Sequence, residues 1–379
     1  MFQRDKSDSR VVNIIDFNHM AYNVAYGATS LTTTLVVDGE PQVVDTTIPA
    51  LTIKTIHRWA NRGLNPTAVC FDTKGSGTFR HNYFKEVSKG VCGETIDYKN
   101  SRTSAGDKFF TGVNLTANFL HEGGVSCYKN PGYEADDLVK ACVDRAKELY
   151  PTLPIHVITG DADLLPLVDD QVSVFLRSRK YTYAVTPEFE KNKYVQITPE
   201  NYSRYVEDIS AFRQSKLLVP YNTVLLAKML RGDSSDKIPG KADWKPKMYN
   251  TLIEFLIRDG IDIGNLFRYG NPTETLCYRD TGMPIPYDML NSVPRENQMI
   301  HYGDPVELTN MLEVLSHYVE PEDLEYIRFK YLGMNLNGAI TGMAQGMNRR
   351  PAKIKTDIKG YMAGELQRAV VQLKINLPQ

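Results

Sequence analysis

The N-terminal half of the chain alternates short β-rich apolar runs with helical patterns, and this alternation limits the fold more than any other feature of the sequence. The apolar runs are Val11–Ile15, Thr67–Phe71, Val125–Tyr128, Ile155–Thr159 and Val172–Leu176. Between them, Ile48–Ala60 and Glu134–Leu149 carry apolar residues at helical spacing. Strands that alternate with helices predict an α/β fold with a central parallel sheet flanked by helices. Tyr181–Val185 and Lys191–Ile197 predict an additional edge hairpin.

Acidic residues follow four of these predicted strands at the point where each strand ends. In chain order they are Asp16, Asp72, Glu134, Asp136, Asp137, Asp161 and Asp163. In an open parallel sheet, the carboxyl ends of the strands form the edge at which ligands bind. Glu134 and Asp137 are three residues apart, so they are predicted to share one helix face. A later Gly/Pro turn could add Asp233 and Asp236 to the same group.

Nine carboxylates in one place would repel one another strongly unless cations neutralised them. Oxygen ligands without His or Cys favour hard cations, here Mg²⁺ with Mn²⁺ as a substitute. So many ligands suggest two or more ions, an arrangement suited to in-line attack on a phosphodiester. Each acid taken alone could instead be a turn residue, an N-cap or a partner of the helix dipole. Their occurrence at four consecutive strand ends favours the metal site.

Five sequence blocks occur in a characteristic order and spacing between residues 11 and 260. They read IIDFNHMAYNVAYG, CFDTKGSGTFRHNYFKEV, GYEADDL, TGDADLLPLV and LRGDSSDKIPG. In this order they resemble the flap endonuclease / 5′-3′ exonuclease superfamily, most of all its bacteriophage RNase H branch. The resemblance implies a PIN-like nuclease core followed by a helix–three-turn–helix element. It also implies a first ligand set and a second, weaker one: Asp16, Asp72, Glu134, Asp136 and Asp161, then Asp137, Asp163, Asp233 and Asp236.

The resemblance assigns further roles to basic and aromatic residues. It implies that Arg80, Lys99 and Arg102 act at the scissile phosphate. Lys99 and Arg102 are three residues apart, so on a helical arch they would present a paired cationic grip to that phosphate. Tyr22 occupies the place of an aromatic residue that stacks on the nucleic acid, a contact worth about 1–3 kcal/mol per base. A structural role for Tyr22 in the core is the alternative.

The duplex-binding element departs from the family pattern after its Ile-Pro-Gly. The family often continues with Gly-Ile-Gly-x-Lys, whose carbonyls hold a monovalent cation, whereas this chain continues with KADWKPKMYN. The departure weakens the expectation of a K⁺ ion at this element. Direct phosphate contacts are expected instead from Lys241, Lys245 and Lys247.

The sequence predicts three regions. These are a nuclease core at 1–200 with an arch at about 80–120, a duplex-binding region at 201–265, and a mostly helical region at 266–379. Within the last, Gly270–Pro294 is rich in Pro and Gly and predicts a long loop. Residues 296–326 are acidic, and residues 345–379 are basic. The acidic stretch could mimic nucleic acid or dock a protein, but a solvated helical face is the default.

Composition excludes several classes of protein. The five cysteines contain no Cys-x-x-Cys pair, which argues against a disulfide scaffold or a zinc ribbon. The polar N-terminus has no secretory pattern, and no apolar run approaches the roughly 18 residues of a membrane span. A Walker-type phosphate loop is also missing, which argues against an NTPase. The sequence therefore predicts a soluble cytoplasmic protein, in the host cytoplasm if it comes from a phage.

These observations predict a Mg²⁺-dependent, structure-specific 5′ nuclease. Its expected substrate is duplex DNA or an RNA–DNA hybrid with a 5′ end or flap, cleaved during replication or repair and with RNase H activity on primers. It is expected to be a monomer, with a single-strand-binding protein as a candidate partner. Two alternatives stay open: a PIN-like ribonuclease for single-stranded RNA, and an inactive homologue that binds junctions.

Overall fold

The computed structural model describes residues 10–26, 30–37, 39–72, 78–99, 106–177, 194–207, 209–271, 273–290, 292–336, 358–373 and 377. These residues form two compact units. The first contains the described residues up to 72, those at 106–177 and 194–205, and those from 358 onward, whereas the second contains 78–99 and the described residues between 206 and 336. Both units are therefore discontinuous in sequence, and the three predicted regions remain a prediction. No helix in the described part of the chain has the length and apolarity to cross a membrane.

A six-stranded sheet with helices forms the first unit. Its elements are β1 (Val12–Asp16), α1 (Phe17–Ala25), β2 (Thr32–Val37), β3 (Glu40–Asp45), α2 (Thr47–Trp59), β4 (Thr67–Phe71), α4 (Asp107–Glu122), β5 (Ser126–Lys129), α5 (Ala135–Leu149), β6 (Ile155–Thr159), β7 (Val172–Arg177), β8 (Tyr194–Ile197) and α13 (Ala363–Val370). The helix α3 (Phe79–Cys92), between β4 and α4 in sequence, belongs to the second unit. The strand order in the sheet is β5-β4-β1-β6-β7-β8.

Five of the six strands are parallel, and β8 pairs antiparallel with β7 at one edge. Every residue of β1 and of β4 is buried, as expected for inner strands that are covered on both faces. The predicted α/β class with a central parallel sheet is confirmed. The predicted hairpin lies outside the described residues at 181–185 and 191–193, whereas Tyr194–Ile197 forms β8.

The register of the three central strands determines where their carboxylates emerge. β1 lies between β4 and β6, with Asp16 opposite Cys70 on one side and Ile15 opposite Ile158 on the other. The residues that follow β4 and β6 therefore leave the sheet beside Asp16. This is the edge at which the sequence predicted a ligand site.

A C-terminal segment completes the core of the first unit. Thr67 N, at the start of β4, donates a 3.2 Å hydrogen bond to Lys359 O, and Tyr361 N donates a 3.0 Å bond to Gly63 O. A side chain at Gly63 would meet Tyr361 O at 2.1 Å, and φ at this position is +94°, so glycine is required. From α13, Leu366 is buried in the hydrophobic core. The first unit thus depends on residues more than 150 positions beyond its sheet.

The second unit is mostly helical. The helix α6 (Tyr202–Val206) ends at the boundary, with all but its last residue in the first unit. Besides α3, the second unit contains α7 (Ser210–Ser215), α8 (Val224–Arg231), β9 (Gly232–Asp233), β10 (Ile238–Pro239), α9 (Pro246–Arg258), α10 (Ile263–Leu266), β11 (Thr273–Tyr278), β12 (Gln298–Gly303), α11 (Val306–Leu315) and α12 (Pro321–Met334). The helices α8 and α9 flank the predicted Gly/Pro turn.

The prediction of a long loop over Gly270–Pro294 is wrong for its first part. Thr273–Tyr278 forms β11, which pairs antiparallel with β12 along its whole length. The Pro and Gly residues that suggested a loop are concentrated between 279 and 294, while TETLCY itself has none. The acidic stretch 296–326 consequently begins with a strand and continues into α11 and α12.

Candidate metal centre and phosphate-binding residues

Asp16 lies at the end of β1 and is buried to 6% exposure. Thr159, the last residue of β6, donates a 2.8 Å hydrogen bond from its hydroxyl to Asp16 Oδ2. The same hydroxyl accepts a 2.9 Å bond from the backbone N–H of Asp161. One threonine therefore connects Asp16, at the end of β1, with Asp161, after β6. The sequence did not predict this role of Thr159. The only signal for it was that Thr159 is the last residue of a predicted strand.

Asp72 follows β4 and is hydrogen-bonded to the start of α5, next to Glu134. Its Oδ1 accepts a 2.6 Å hydrogen bond from Ala135 N, the first residue of α5. Its own backbone N–H donates a 3.1 Å bond to Asn18 Oδ1 on α1. A carboxylate at a helix N-terminus is favoured because unsatisfied N–H groups point at it. Asp72 is thereby held next to Glu134.

Glu134 and Asp137 meet in a way that the sequence did not predict. Glu134 is the N-cap of α5, with an extended backbone, and is not part of the helix. The two residues form a capping box, in which Asp137 Oδ2 accepts a 3.1 Å bond from Glu134 N. The prediction of a shared helix face is therefore wrong, because the proximity comes from capping. Asp136 lies between them in the first turn and is half-buried.

Burial raises the pKa of Asp16 to about 7, with Asp72 and Asp161 adding to the shift and the Thr159 hydrogen bond opposing it. The neighbouring carboxylates therefore make the charged form of Asp16 less favourable. The donor set consists of carboxylate oxygens with a hydroxyl beside them, which is the chemistry that hard divalent cations prefer. By its chemistry, the donor set at this sheet edge fits such an ion.

The loop after β6 is built around its acidic residues. Asp161 Oδ1 accepts a 2.9 Å bond from Asp163 N and so caps the 3₁₀ helix Ala162–Leu167. A side chain at Gly160 would meet the His19 ring at 1.7 Å, so glycine is required for this ring to lie against the loop. Burial lowers the pKa of His19, as does Arg177, whereas Asp161 raises it. His19 is thus a neighbour of the acidic group, and its Nε2 lies 2.9 Å from Asn23 Nδ2.

Two aromatic residues are exposed at α1, Tyr22 within the helix and Tyr26 at its C-cap. Tyr22 is 54% exposed and Tyr26 is 65% exposed. Their ring centroids are 4.5 Å apart, and Tyr22 also contacts Phe109 with a centroid distance of 6.0 Å. The core alternative for Tyr22 is therefore wrong, since more than half of its surface is exposed. Tyr26 was not singled out from the sequence, although its spacing of four residues from Tyr22 on a helix was visible.

In the second unit, Tyr98 connects two of the predicted phosphate-binding residues. Arg80 is buried on α3, with Nη1 3.5 Å from the Tyr98 hydroxyl. Lys99 Nζ lies 4.9 Å from the centroid of the same ring. Lys99 has a left-handed backbone, with φ of +57°, in a turn. The prediction of Lys99 on a helix face is therefore wrong, and Arg102 lies outside the described residues.

The turn between α8 and α9 carries the last two predicted ligands. Asp233 accepts a 2.6 Å bond from Lys228 Nζ and a 2.9 Å bond from Ser235 N. Burial would raise the pKa of Asp233, but Lys228 and Ser235 lower it overall. Asp236 is buried, with Oδ2 3.7 Å from Lys99 Nζ. These two carboxylates therefore already have cationic partners from the chain.

The three lysines after this turn differ in their surroundings. Lys241 forms an ion pair with Asp323, which also accepts a 3.1 Å bond from Trp244 Nε1. A phosphate would have to compete with that carboxylate. Lys245 and Lys247 are exposed at the N-terminal end of α9. Their positions suit a phosphate contact better than that of Lys241.

The fold and the acidic sheet edge define an α/β domain of the resolvase-like nuclease type. Residues 11–196 match the family described as 5′-3′ exonuclease, N-terminal resolvase-like domain. The matched segment is just under half of the chain and contains the sheet with its acidic edge.

Individual relatives match only parts of their length. DNA polymerase I of Mycobacterium bovis is 35% identical over 148 residues, which cover 38% of this chain and 13% of the polymerase. The 5′-3′ exonuclease of Bacillus subtilis is 30% identical over 173 residues, which cover 45% of this chain and 46% of that protein. The chain therefore spans less than half the length of these relatives.

Two solved structures align over almost the whole chain at low identity. One is the bacteriophage T5 flap endonuclease in a complex with DNA and metal ions, at 16% identity and a TM-score of 0.47, covering 96% of this chain and 100% of that one. The other is the T5 5′-exonuclease with bound zinc ions, at 16% identity and a TM-score of 0.48, covering 97% and 99%. Likeness at this level leads to no functional conclusion.

Proposed function

We propose that this protein is a divalent-metal-dependent 5′ nuclease that hydrolyses phosphodiester bonds at the junction between a duplex and a 5′ end or flap. The observation that carries the proposal is the meeting of Asp16, Asp72 and Asp161 at one sheet edge, where burial and mutual repulsion raise the pKa of Asp16. The match of residues 11–196 to the 5′-3′ exonuclease family supports the same reaction. The names of the relatives, DNA polymerase I and 5′-3′ exonuclease, support a role in DNA replication or repair.

In this proposal the sheet-edge carboxylates hold Mg²⁺, and the number of acids suits two or more ions. A divalent cation bound there would supply a water of lowered pKa and would stabilise negative charge on the scissile phosphate. The carboxylates fix the position of the site, and Thr159 orients Asp16 through its 2.8 Å hydrogen bond. Lys99 and Arg80 are proposed to bind and orient the scissile phosphate, with Arg102 as a third cation.

Substrate positioning is proposed for residues outside the acidic group. The exposed ring of Tyr22 would stack on a base, which is worth about 1–3 kcal/mol. Lys245 and Lys247, with Lys241 behind its ion pair, would contact the phosphates of the duplex. RNA primers are proposed as one natural substrate, which would appear as RNase H activity on a hybrid. The protein is proposed to act as a monomer in the cytoplasm, with a single-strand-binding protein as partner.

The test is cleavage of labelled oligonucleotides with Mg²⁺ and with EDTA. A 5′-flap duplex, an RNA–DNA hybrid and single-stranded RNA are compared at equal concentration, and the products are mapped. Cleavage near the junction that needs Mg²⁺ supports the proposal. A preference for single-stranded RNA would replace it with a PIN-like ribonuclease. Junction binding without cleavage of any substrate would identify an inactive homologue.

A further inference from the structure

A fully buried lysine in the second unit has no part in the proposed reaction. Lys330, on α12, has 0% exposure. Its ammonium donates a 2.8 Å hydrogen bond to Pro239 O in the turn between α8 and α9. The rings of Tyr326, Phe329 and Phe84 lie 5.1, 5.6 and 5.9 Å from Nζ, within the range of cation–π attraction. A buried cation is costly unless its surroundings stabilise it, so this arrangement calls for a specific role.

The helix α12 holds the turn at more than one point. The Tyr326 hydroxyl donates a second hydrogen bond, of 3.0 Å, to the Pro239 carbonyl. Asp323 precedes Tyr326 by three residues on α12. Its carboxylate forms an ion pair with Lys241 and accepts a hydrogen bond from Trp244, two residues that follow the turn between α8 and α9. The bond from Lys330 is charge-assisted and therefore the stronger of the two on Pro239. The position of the carbonyl is thus set mainly by a cation that belongs to the chain.

The turn itself is tightly closed, so a displacement at one end must move the other. Pro239 pairs with Gly232, and Ile238 pairs with Asp233. A side chain at Gly232 would meet Gly240 N at 2.3 Å. Since the backbones are in direct contact here, there is no space to absorb a shift. Movement of Pro239 would therefore be passed on to Asp233 and to the residues after it.

The same turn fixes Lys99. Lys99 N donates a 3.0 Å hydrogen bond to Asp236 O, and its ammonium lies 3.7 Å from the Asp236 carboxylate. Lys99 also has a left-handed backbone, which is unfavourable for a residue with a side chain unless its surroundings hold it there. Contacts from Asp236 at both its backbone and its side chain provide that constraint.

We propose that Lys330 is a positioning residue whose buried ammonium acts as a built-in cation for the turn 232–240 and thereby sets the position of Lys99. The inference rests on the proposed function, because there Lys99 contacts the scissile phosphate. Burial lowers the pKa of Lys330 to about 8, while Cys92 and Glu94 raise it, and both the charged and the neutral amine can donate to Pro239. An ammonium bound in this way replaces a dissolved monovalent cation, consistent with the missing glycines after Gly240.

The first test is rescue of Lys330→Ala by ammonium. This variant leaves a cavity beside Pro239 that an ammonium ion can fill. We expect cleavage of the 5′-flap duplex to fall about 10–100-fold, mainly in kcat, as for a small misplacement of a catalytic group. Ammonium chloride should restore most of it, whereas sodium chloride of equal ionic strength should not. Unchanged cleavage, or equal responses to the two salts, would overturn the inference.

Two further variants separate positioning from simple loss of packing. Lys330→Met keeps the aliphatic stem and fills the cavity, so it should lose cleavage like Lys330→Ala but gain nothing from ammonium. Leu332→Ala removes a buried side chain of the same helix away from Pro239 and should show no ammonium-specific rescue. If ammonium rescued Leu332→Ala equally, the effect would be general stabilisation and the inference would fail.

Hydrogen exchange decides the inference independently of cleavage. Backbone amides of residues 233–240 should exchange faster in Lys330→Ala than in the wild type, and ammonium should slow them again. Amides of β1 and β6 in the first unit should not change. Should the wild type fail to cleave any substrate, the proposed function falls, but the exchange result still supports or rejects the role of Lys330. No difference in the turn would reject it.

Discussion

Both units bury aspartates, but the pKa of Asp16 in the first unit is raised, whereas the pKa of Asp233 in the second is lowered. In the first unit, burial and neighbouring carboxylates raise the pKa of Asp16 to about 7. In the second, Lys228 and Ser235 overcome the effect of burial and lower the pKa of Asp233. The residue type is the same, so the difference comes from the partners. Lys228 stabilises the charged form of Asp233, whereas Asp72 and Asp161 destabilise the charged form of Asp16.

On the proposed function, this difference predicts that the sheet edge of the first unit responds more strongly to a divalent cation than the turn of the second unit does. Neighbouring carboxylates raise the free energy of the charged form of Asp16, and a bound divalent ion would lower it. The turn in the second unit has Lys228 for Asp233, Lys99 for Asp236 and Lys330 for the Pro239 carbonyl. We therefore expect substitutions in the two units to differ in their effects on cleavage, on stability and on the response to metal.

The largest expected effect is that of Asp161→Asn on cleavage. Removing a carboxylate from the sheet edge should lower Mg²⁺-dependent cleavage about 10³-fold, equivalent to roughly 4 kcal/mol. The matched substitution in the second unit, Asp233→Asn, should cost no more than about tenfold. Rates are measured with a labelled 5′-flap duplex at saturating Mg²⁺. Equal losses in the two variants would mean that both units hold the metal, and would break the comparison.

The second prediction concerns Asp16→Asn in the absence of metal. The pKa of Asp16 is about 7 in the folded protein against an ordinary value of 3.8. The folded state therefore binds the proton more tightly, and metal-free stability should fall as pH rises from 4 through 7. Asparagine carries no charge, so the variant should be more stable than the wild type at pH 8, by up to about 4 kcal/mol.

Urea unfolding in EDTA at pH 5 and pH 8 measures this effect. The wild type should lose stability between the two values, while Asp16→Asn should lose much less. Addition of Mg²⁺ at pH 8 should stabilise the wild type and leave the variant nearly unchanged. A variant that is less stable than the wild type at pH 8 without metal would show that Asp16 is not under electrostatic strain.

The third prediction is a loss of stability on substitution, whereas the second is a gain. Asp233→Asn should destabilise the protein at pH 8 by about 1–3 kcal/mol, because Lys228 and Ser235 lose a charged acceptor. The pKa of Asp233 is lowered on folding, so its contribution is present above the ordinary value of 3.8 and is lost as pH falls below it. The double variant with Lys228→Met should lose less than the sum of the single variants. Strict additivity would argue against the ion pair.

Much of the sheet and its acidic edge could be predicted because the relevant signals are local. Thr67–Phe71 and Ile155–Thr159 coincide with β4 and β6, since buried parallel strands are continuous apolar runs. The acids follow directly, so the strand order brings them together. Thr159 and Gly160 were missed because a hydroxyl bond to Asp16 and a contact with His19 exist only after distant segments meet.

The second unit was less predictable for a related reason. Lys99 was placed on a helix because its spacing from Arg102 is helical, but the left-handed backbone at Lys99 depends on Asp236, more than 130 residues away. Likewise, β11 is mostly exposed and has no buried apolar run, and it is a strand because β12 pairs with it. Where tertiary contacts decide the local conformation, periodicity alone does not predict it.

The smallest expected effect is that of substituting the exposed Tyr22 and Tyr26. These substitutions leave the acidic residues of both units unchanged, so they separate substrate binding from the roles of the aspartates. Tyr22→Ala and Tyr26→Ala should each weaken binding of a 5′-flap duplex by about 1 kcal/mol, at the low end of base stacking. Since the two rings are 54% and 65% exposed, the free energy of unfolding should change little. Binding is measured by fluorescence anisotropy in EDTA, so that cleavage does not interfere. Tyr22→Phe and Tyr26→Phe keep the rings and should bind like the wild type. If the phenylalanine variants lost as much affinity as the alanine variants, the hydroxyl groups would be responsible and stacking would be rejected.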